Sequence, residues 1–295
     1  MVIFLGKGAM ISIIIPTFNE EVFLPRLLKS IEEQTYRDFE VIIADNHSSD
    51  RTREIATLFS ARMVDGGIPS VARNRGADAA AGEYMLFLDA DSVIPRNFLI
   101  RLNKRFEKDF IDICIPSLKP IDSSKPIYKT MFKLANSYFK LMEGVKPQGG
   151  GACIFVTKRL HRRIGGFDET RRRSEDLDYI NRAAQVGRFR CYLDLYVYFS
   201  VRRFEVEGIS ACAQKYLRSG FIFFFSGKQD WRSQYEYGKF YRAVVQASQI
   251  EKQDANDHIT YRLLKRFNDL IEQLKKQLKE LYTESSFFRS LRKAS

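Results

Sequence analysis

The alternation of apolar strands with amphipathic helices across the first hundred residues most constrains the fold. "MISIIIPTFN" is a continuous β-branched run closed by Pro16, and "FEVIIADN" repeats that style at Phe39 to Asn46. Such runs suit parallel strands buried on both faces. Between them "EEVFLPRLLKSIEEQ" sets Phe23, Leu24, Leu27, Leu28 and Ile31 at helical spacing, giving strand, helix, strand. "SSDRTREIATLF" predicts a second helix with Ser49 or Asp50 as its N-cap, and "VARNRGADAAAGE" an Ala-rich third. The apolar strand "YMLFL" then ends in Asp89. The expected fold class is α/β, a doubly wound, mostly parallel sheet with helices on both faces.

In such sheets ligands bind beyond the carboxyl ends of the strands, and Asp45, Asp89 and Asp91 all fall there. From Pro116 to Pro147 the pattern weakens into a loop and an amphipathic helix around "YKTMFKLANSYFKLME", read as a connection across the sheet's edge. "QGGGACIFVTKRL" places three glycines before a strand, where they permit a close backbone approach. "SEDLDYINRAAQVG" reads as a helix opened by Ser174 and stopped near Gly187, and "FRCYLDLYVYFSVRRF" as the last strand. These elements place the sheet domain at residues 10–204.

Beyond residue 204 the chain changes character. Residues 205–250 read as an aromatic-rich helical segment containing "FIFFF", a candidate for membrane association. In residues 251–295, Leu264, Ile271 and Leu278 recur every seven positions, as do Phe267, Leu274 and Leu281, with lysines and arginines off that seam. This basic amphipathic helix docks on the domain, pairs with a second copy to make a homo-oligomer, or lies on a membrane; the pattern fits all three. Net charge is +12, of which residues 201–295 supply +7 through 18 Lys and Arg against 11 Asp and Glu. That bias suits anionic lipid, nucleic acid or phosphorylated ligands. The apolar runs are far shorter than the ~20 residues that cross a bilayer, so any membrane contact is expected to be peripheral. Residues 1–9 lack the basic opening of a secretory signal and read as an N-terminal extension or a short edge strand. Four cysteines without a C-x-x-C pair read as buried thiols in a reducing compartment. The expected location is the cytoplasm, with a peripheral seat on the cytoplasmic membrane face as an option.

"ISIIIPTFNE", "VIIADNHSSDRT", "ARNRGADAAAGEYMLFLDADS", "GGFDE" and "EDLDY" occur in an order and spacing that resembles the glycosyltransferase family 2 enzymes, inverting sugar transferases of GT-A fold. The resemblance covers roughly residues 10–204. It implies that Asp91 ligates Mg²⁺ or Mn²⁺, while Asp89 meets the ribose or the metal through water. Asp45 is implied to contact the base. Pro16, Thr17 and Glu20 are implied as nucleoside contacts, and Arg73 as a nucleotide contact with Arg75 competing for that role. The general base falls at Asp176, with Glu175 beside it and Asp178 as the alternative. The implied partners are a UDP- or GDP-linked sugar and a glycan or lipid-linked acceptor, as in cell-envelope or glycolipid synthesis.

The residue types suit that chemistry independently. A departing diphosphate needs charge compensation, which a cation held by carboxylates supplies. An attacking hydroxyl must lose a proton, and a carboxylate within hydrogen-bond reach can take it. Asp176 in the first turn of a helix is equally a capping residue, and paired acids at a strand end also close turns. Arg171, Arg172 and Arg173 are candidate diphosphate ligands. Arg202 and Arg203 fall in a region where relatives hold phosphate, although the Q-x-x-R-W pattern of processive synthases is absent. Two other classes compete. A nucleic-acid-binding protein would explain the basic tail but not the acids, and no nucleic acid is expected. A sugar nucleotidyltransferase would carry a Gly-rich loop after the first strand, where "PTFNEEV" has none.

Overall fold

A computed structural model describes residues 9–121, 125–171, 174–209 and 211–212. The expectations for residues 1–8, Arg172, Arg173, most of the aromatic-rich segment and the basic heptad helix lie outside the described residues.

Elements alternate as the apolar pattern requires. In chain order they are β1 (Ile11–Thr17), α1 (Leu24–Glu32), β2 (Phe39–Asp45), α2 (Thr52–Leu58), β3 (Arg62–Asp65), α3 (Pro69–Ala79) and β4 (Tyr84–Leu88). Next come β5 (Ser92–Val93), α4 (Phe98–Lys108), β6 (Ile113–Pro120), α5 (Pro126–Met142) and β7 (Cys153–Thr157). The described elements end with α6 (Lys158–Arg163), α7 (Glu175–Val186), β8 (Phe189–Phe199) and α8 (Arg202–Glu207). The strands form one sheet in the order β3-β2-β1-β4-β7-β6-β8-β5.

Successive strand residues face opposite sides, so β1 feeds two cores. Ile11, Ile13 and Ile15 join Leu24, Leu27 and Leu28 of α1, Ile55 of α2 and Leu99, Leu102 and Phe106 of α4. Ile14 faces the other way, with Ala77 of α3, Leu160 of α6 and Tyr179, Ile180 and Ala183 of α7. Helix α3 lies so close to β1 that a Cβ at Gly76 would collide with Ile14 Cγ2. The expected doubly wound architecture is thus present, with both faces covered.

Strand β7 runs antiparallel to both its neighbours, β4 and β6. Its N-terminal end therefore joins the rim where β1, β2 and β4 finish, and the Asp89 N–H donates to the Ala152 carbonyl at 3.1 Å. After Leu88 the chain leaves the middle of the sheet and within four residues pairs Ser92 and Val93 with Phe199 and Tyr198 of β8. That sharp departure explains two acids one residue apart. Ala90 is buried between them, and the turning backbone delivers both carboxylates to one rim.

Two local expectations change. Residue Arg51, not Ser49 or Asp50, is the N-cap of α2, although Asp50 Oδ1 still accepts the Thr52 N–H at 2.9 Å. Ser174 and Gly187 cap α7 as expected, although Ser174 adopts φ 52° and its side chain makes no capping bond. Residues 113–120 are a strand where a loop was expected from Pro116 onward. Its register slips between Pro116 and Ser117, and such an irregularity accommodates a residue with no N–H to donate. Beyond Cys114, β6 outruns β7, and Asn136 of α5 replaces the missing neighbour. Its Oδ1 accepts the Leu118 N–H at 2.9 Å and its Nδ2 donates to the Leu118 carbonyl at 2.8 Å.

Among the described residues no helix is long and apolar enough to cross a membrane. All four cysteines are free and buried.

Candidate active site

The tips of β1 and β2 meet through Asp45, which is 2% exposed. Their parallel register sets Thr17 beside it, and Thr17 Oγ1 donates to Asp45 Oδ1 at 2.9 Å. Ser48 completes the turn, its N–H donating to Oδ2 at 3.0 Å and its hydroxyl to Oδ1 at 2.5 Å. The two loops are tied further by the Asn19 N–H to Ser48 Oγ at 2.9 Å and the Glu20 N–H to Thr52 Oγ1 at 2.8 Å. Asn19, at φ 54°, accepts the Ser49 N–H at 2.8 Å, the loop-forming role its residue type favours.

Two arginines organise the neighbouring acids. Arg73, 3% exposed on α3, donates through Nη2 to Asp89 Oδ1 at 2.8 Å and through Nη1 to Glu175 Oε1 at 2.9 Å. Its guanidinium carbon lies 5.4 Å from the Phe167 ring centroid. Arg202, opening α8, has Nε 3.0 Å from Asp91 Oδ2 and a two-pronged pair with Glu20, both bonds at 2.8 Å. Arg75 points elsewhere and donates to the Gly66 carbonyl at 2.6 Å.

Asp176 stands next to the first of these clusters. Its Oδ2 accepts the Gly151 N–H at 2.6 Å and its Oδ1 the Leu177 N–H at 2.8 Å. A Cβ at Gly151 would lie 3.1 Å from Arg73 Nη2 and 3.1 Å from Asp176 Oδ2, so this glycine permits the close approach expected of the triple-glycine run. Asp178 faces away, paired with Arg171 at 3.2 Å and with Arg182 at 2.7 Å. It serves the turn before α7, whose carbonyls at Ile164 and Gly166 also hold Arg182. His161 is buried against Tyr179, with Nδ1 2.8 Å from the hydroxyl.

Burial dominates the electrostatics. It raises Asp176 to about 7, with Glu175 adding to the rise and Arg73 opposing it. Glu20 is raised to about 7 by burial against the pull of Arg202, with Asp91 and Asp89 pushing the same way as burial. Asp89 rises to about 6, again through burial first, despite Arg73. Even with two arginines in place the rim carries crowded negative charge.

A hard divalent cation fits this donor set, which is all oxygen and already short of positive charge. Among the described residues no three His, Cys, Asp or Glu side chains form a cage for a metal. An ion on Asp91 and Asp89 would therefore take its remaining ligands from substrate phosphates and water, the usual arrangement for Mg²⁺.

Sequence reasoning did not pair Arg202 with Glu20, 182 residues away, or Ser48 with Asp45. Nothing local marks the first. The second is an Asp followed three residues later by Ser, a turn pattern open to reading.

A doubly wound sheet with acids and arginines gathered at its carboxyl-terminal rim, with β7 reversed inside it and the short β5 reversed at its edge, defines an α/β protein of the GT-A class. The chain belongs to glycosyl transferase family 2, whose model matches residues 12–164, just over half of its length. It is 32% identical over 144 residues to a poly(ribitol-phosphate) beta-glucosyltransferase of Bacillus spizizenii, covering 45% of this chain and 23% of that protein. It is 31% identical over 113 residues to the GalNAc(5)-diNAcBac-PP-undecaprenol beta-1,3-glucosyltransferase of Campylobacter jejuni, covering 35% and 36%. These matches thus span roughly a quarter to a third of the relatives' own lengths. Among solved structures, S. aureus TarS 1-349 in complex with UDP superposes with a TM-score of 0.55 at 23% identity, covering 74% of this chain and 72% of that one. The mannosyltransferase PcManGT of Pyrobaculum calidifontis, in complex with GDP-Man and Mn²⁺, gives 0.56 at 18% identity, covering 96% and 83%.

Proposed function

We propose that the protein is a metal-dependent inverting glycosyltransferase, moving a sugar from a UDP- or GDP-linked donor to a glycan or lipid-linked acceptor. The observation that carries this reading is the meeting of Asp176 with Arg73 around Gly151, because Arg73 in turn grips Asp89. A proton acceptor and the acids suited to a nucleotide's diphosphate are thereby held at one rim.

The roles follow from position. Pro16, Thr17 and Asp45 form the floor for the nucleoside, with Asp45 able to accept further hydrogen bonds from a base edge. Glu20 and Asp89 flank the ribose and diphosphate, and Arg73 fixes Asp89. Asp91, with Asp89, would hold Mg²⁺ or Mn²⁺, which when bound supplies charge compensation for the leaving diphosphate. Asp176, raised to about 7, is matched to accept a proton near neutral pH. As the acceptor oxygen bonds to the anomeric carbon, its proton passes to Asp176 Oδ and the bond to the diphosphate oxygen breaks. One displacement inverts the anomeric centre, and no second carboxylate acts on the sugar.

Support comes from the neighbours captured with UDP and with GDP-Man and Mn²⁺, and from relatives named for poly(ribitol phosphate) and undecaprenol-linked glycans. The test is donor turnover by purified protein across UDP- and GDP-sugars, with and without Mn²⁺. Turnover stimulated by Mn²⁺ and lost in Asp91→Ala is expected; an unaffected Asp91→Ala overturns the assignment. The basic region 205–295 fits a peripheral seat on the cytoplasmic membrane face. Full-length protein should sediment with anionic vesicles at low salt, and failure to do so removes that part of the reading.

A further inference from the structure

Arg202 occupies the ground that a divalent cation would need. Its Nε lies on Asp91 Oδ2 at 3.0 Å, and its two terminal nitrogens each donate at 2.8 Å to Glu20. The guanidinium also lies over the Phe23 ring, 4.4 Å from the centroid. One fork therefore joins two carboxylates from the first third of the chain, one of them the acid placed to bind metal.

We propose that Arg202 is a resident counter-charge which the divalent cation must displace, so that cation and nucleotide diphosphate bind as a coupled pair. This rests on the cation reading above and adds a relation between its two ligands. A guanidinium and a divalent ion on the same carboxylate repel strongly at contact distance. Metal alone must then take Asp91 from Arg202 and leave the guanidinium, still held by Glu20, in a partly buried pocket beside a dication, which is costly. A diphosphate arriving with the metal brings an anion to which a guanidinium fork is matched. Each ligand removes the other's obstacle, and the coupling is reciprocal by linkage.

The surrounding structure suits such an exchange. Arg202 opens α8, a helix of six residues none of which is buried. Its counterpart Arg73 sits inside α3 at 3% exposure and has no comparable freedom to leave. The two arginines thus divide the work, Arg73 holding Asp89 in place and Arg202 yielding Asp91.

Mn²⁺ is titrated into the full-length protein with and without UDP or GDP, free ion being read by electron paramagnetic resonance. Wild type should bind Mn²⁺ alone about tenfold more weakly than with nucleotide. Arg202→Met should bind Mn²⁺ alone about tenfold more tightly than wild type, and nucleotide should then add little. Phe23→Ala removes the face beneath the guanidinium without touching a carboxylate, and should move Mn²⁺ affinity in the same direction. Equal affinity for Mn²⁺ alone in wild type and both variants overturns the exchange while leaving the cation reading intact. No Mn²⁺ binding by any of the three, even with nucleotide, overturns both.

Discussion

Asp176 Oδ2 accepts the Gly151 N–H at 2.6 Å, so the proposed base is held by the backbone of the loop that leads into β7. A methyl group at Gly151 would lie 3.1 Å from that same oxygen and from Arg73 Nη2, tighter than ordinary contact. Gly151→Ala should therefore push Asp176 by a few tenths of an ångström and lower kcat by about 10- to 100-fold. Nucleotide affinity and the melting temperature should change little. An unchanged kcat would mean that the position of Asp176 does not matter to the chemistry.

The rate should also follow the charge state of Asp176. Only the carboxylate can accept a proton, so kcat should rise with pH and level off above an inflection at about 7. Glu175→Gln removes the second cause of that raised value, after burial, and leaves Arg73 to pull it down. The inflection should move to lower pH. Asp176→Asn should lose the inflection altogether, along with about 10²- to 10⁴-fold in rate.

Stability should run the other way with pH. Glu20, Asp89 and Asp176 are all raised by burial, to about 7, 6 and 7, above the 3.8 to 4.5 of ordinary carboxyls. Between those limits the folded chain binds more protons than the unfolded one, and stability falls as pH rises. Urea midpoints without added metal should be higher at pH 5.5 than at pH 8. The opposite order would show that the proton affinity of these acids is not raised in the folded protein.

Arg73→Met should be the most damaging single change to the rim. It leaves Asp89 and Glu175 side by side without their shared cation, a loss of about 3 kcal/mol for a pair broken in the interior. Changing Asp89 to Asn and Glu175 to Gln in the same chain should restore most of the stability but none of the activity. A single variant as stable as wild type would contradict the burial of this cluster.

The first half of the sheet was legible because β1, β2 and β4 are dominated by apolar residues and α1 repeats its leucines at helical spacing. The strand β6 was not, because Pro116 and Pro120 break the pattern, and its tolerance for them depends on a register slip and on Asn136 from another element. The two-residue β5 is too short to leave any periodicity and exists only because β8 lies beside it. At the rim, the carboxylates could be placed from the ends of their strands. Their counter-ions could not, since Arg73 reaches Glu175 across 102 residues and Arg202 reaches Glu20 across 182. Pairings of that kind are a product of topology, visible only once the sheet order is known.

The reversal of β7 has a consequence for how such a scaffold can diversify. A strand that runs backward delivers its leading loop, rather than its trailing one, to the face where the acids collect. Residues 144–147 can then lengthen, shorten or change composition without disturbing the contacts that Glu143, Gln148 and Gly149 make with the sheet and its helices. Grafting that loop between relatives should therefore be a direct route to exchanging what docks beside Asp176, with the hydrophobic layers left as they are.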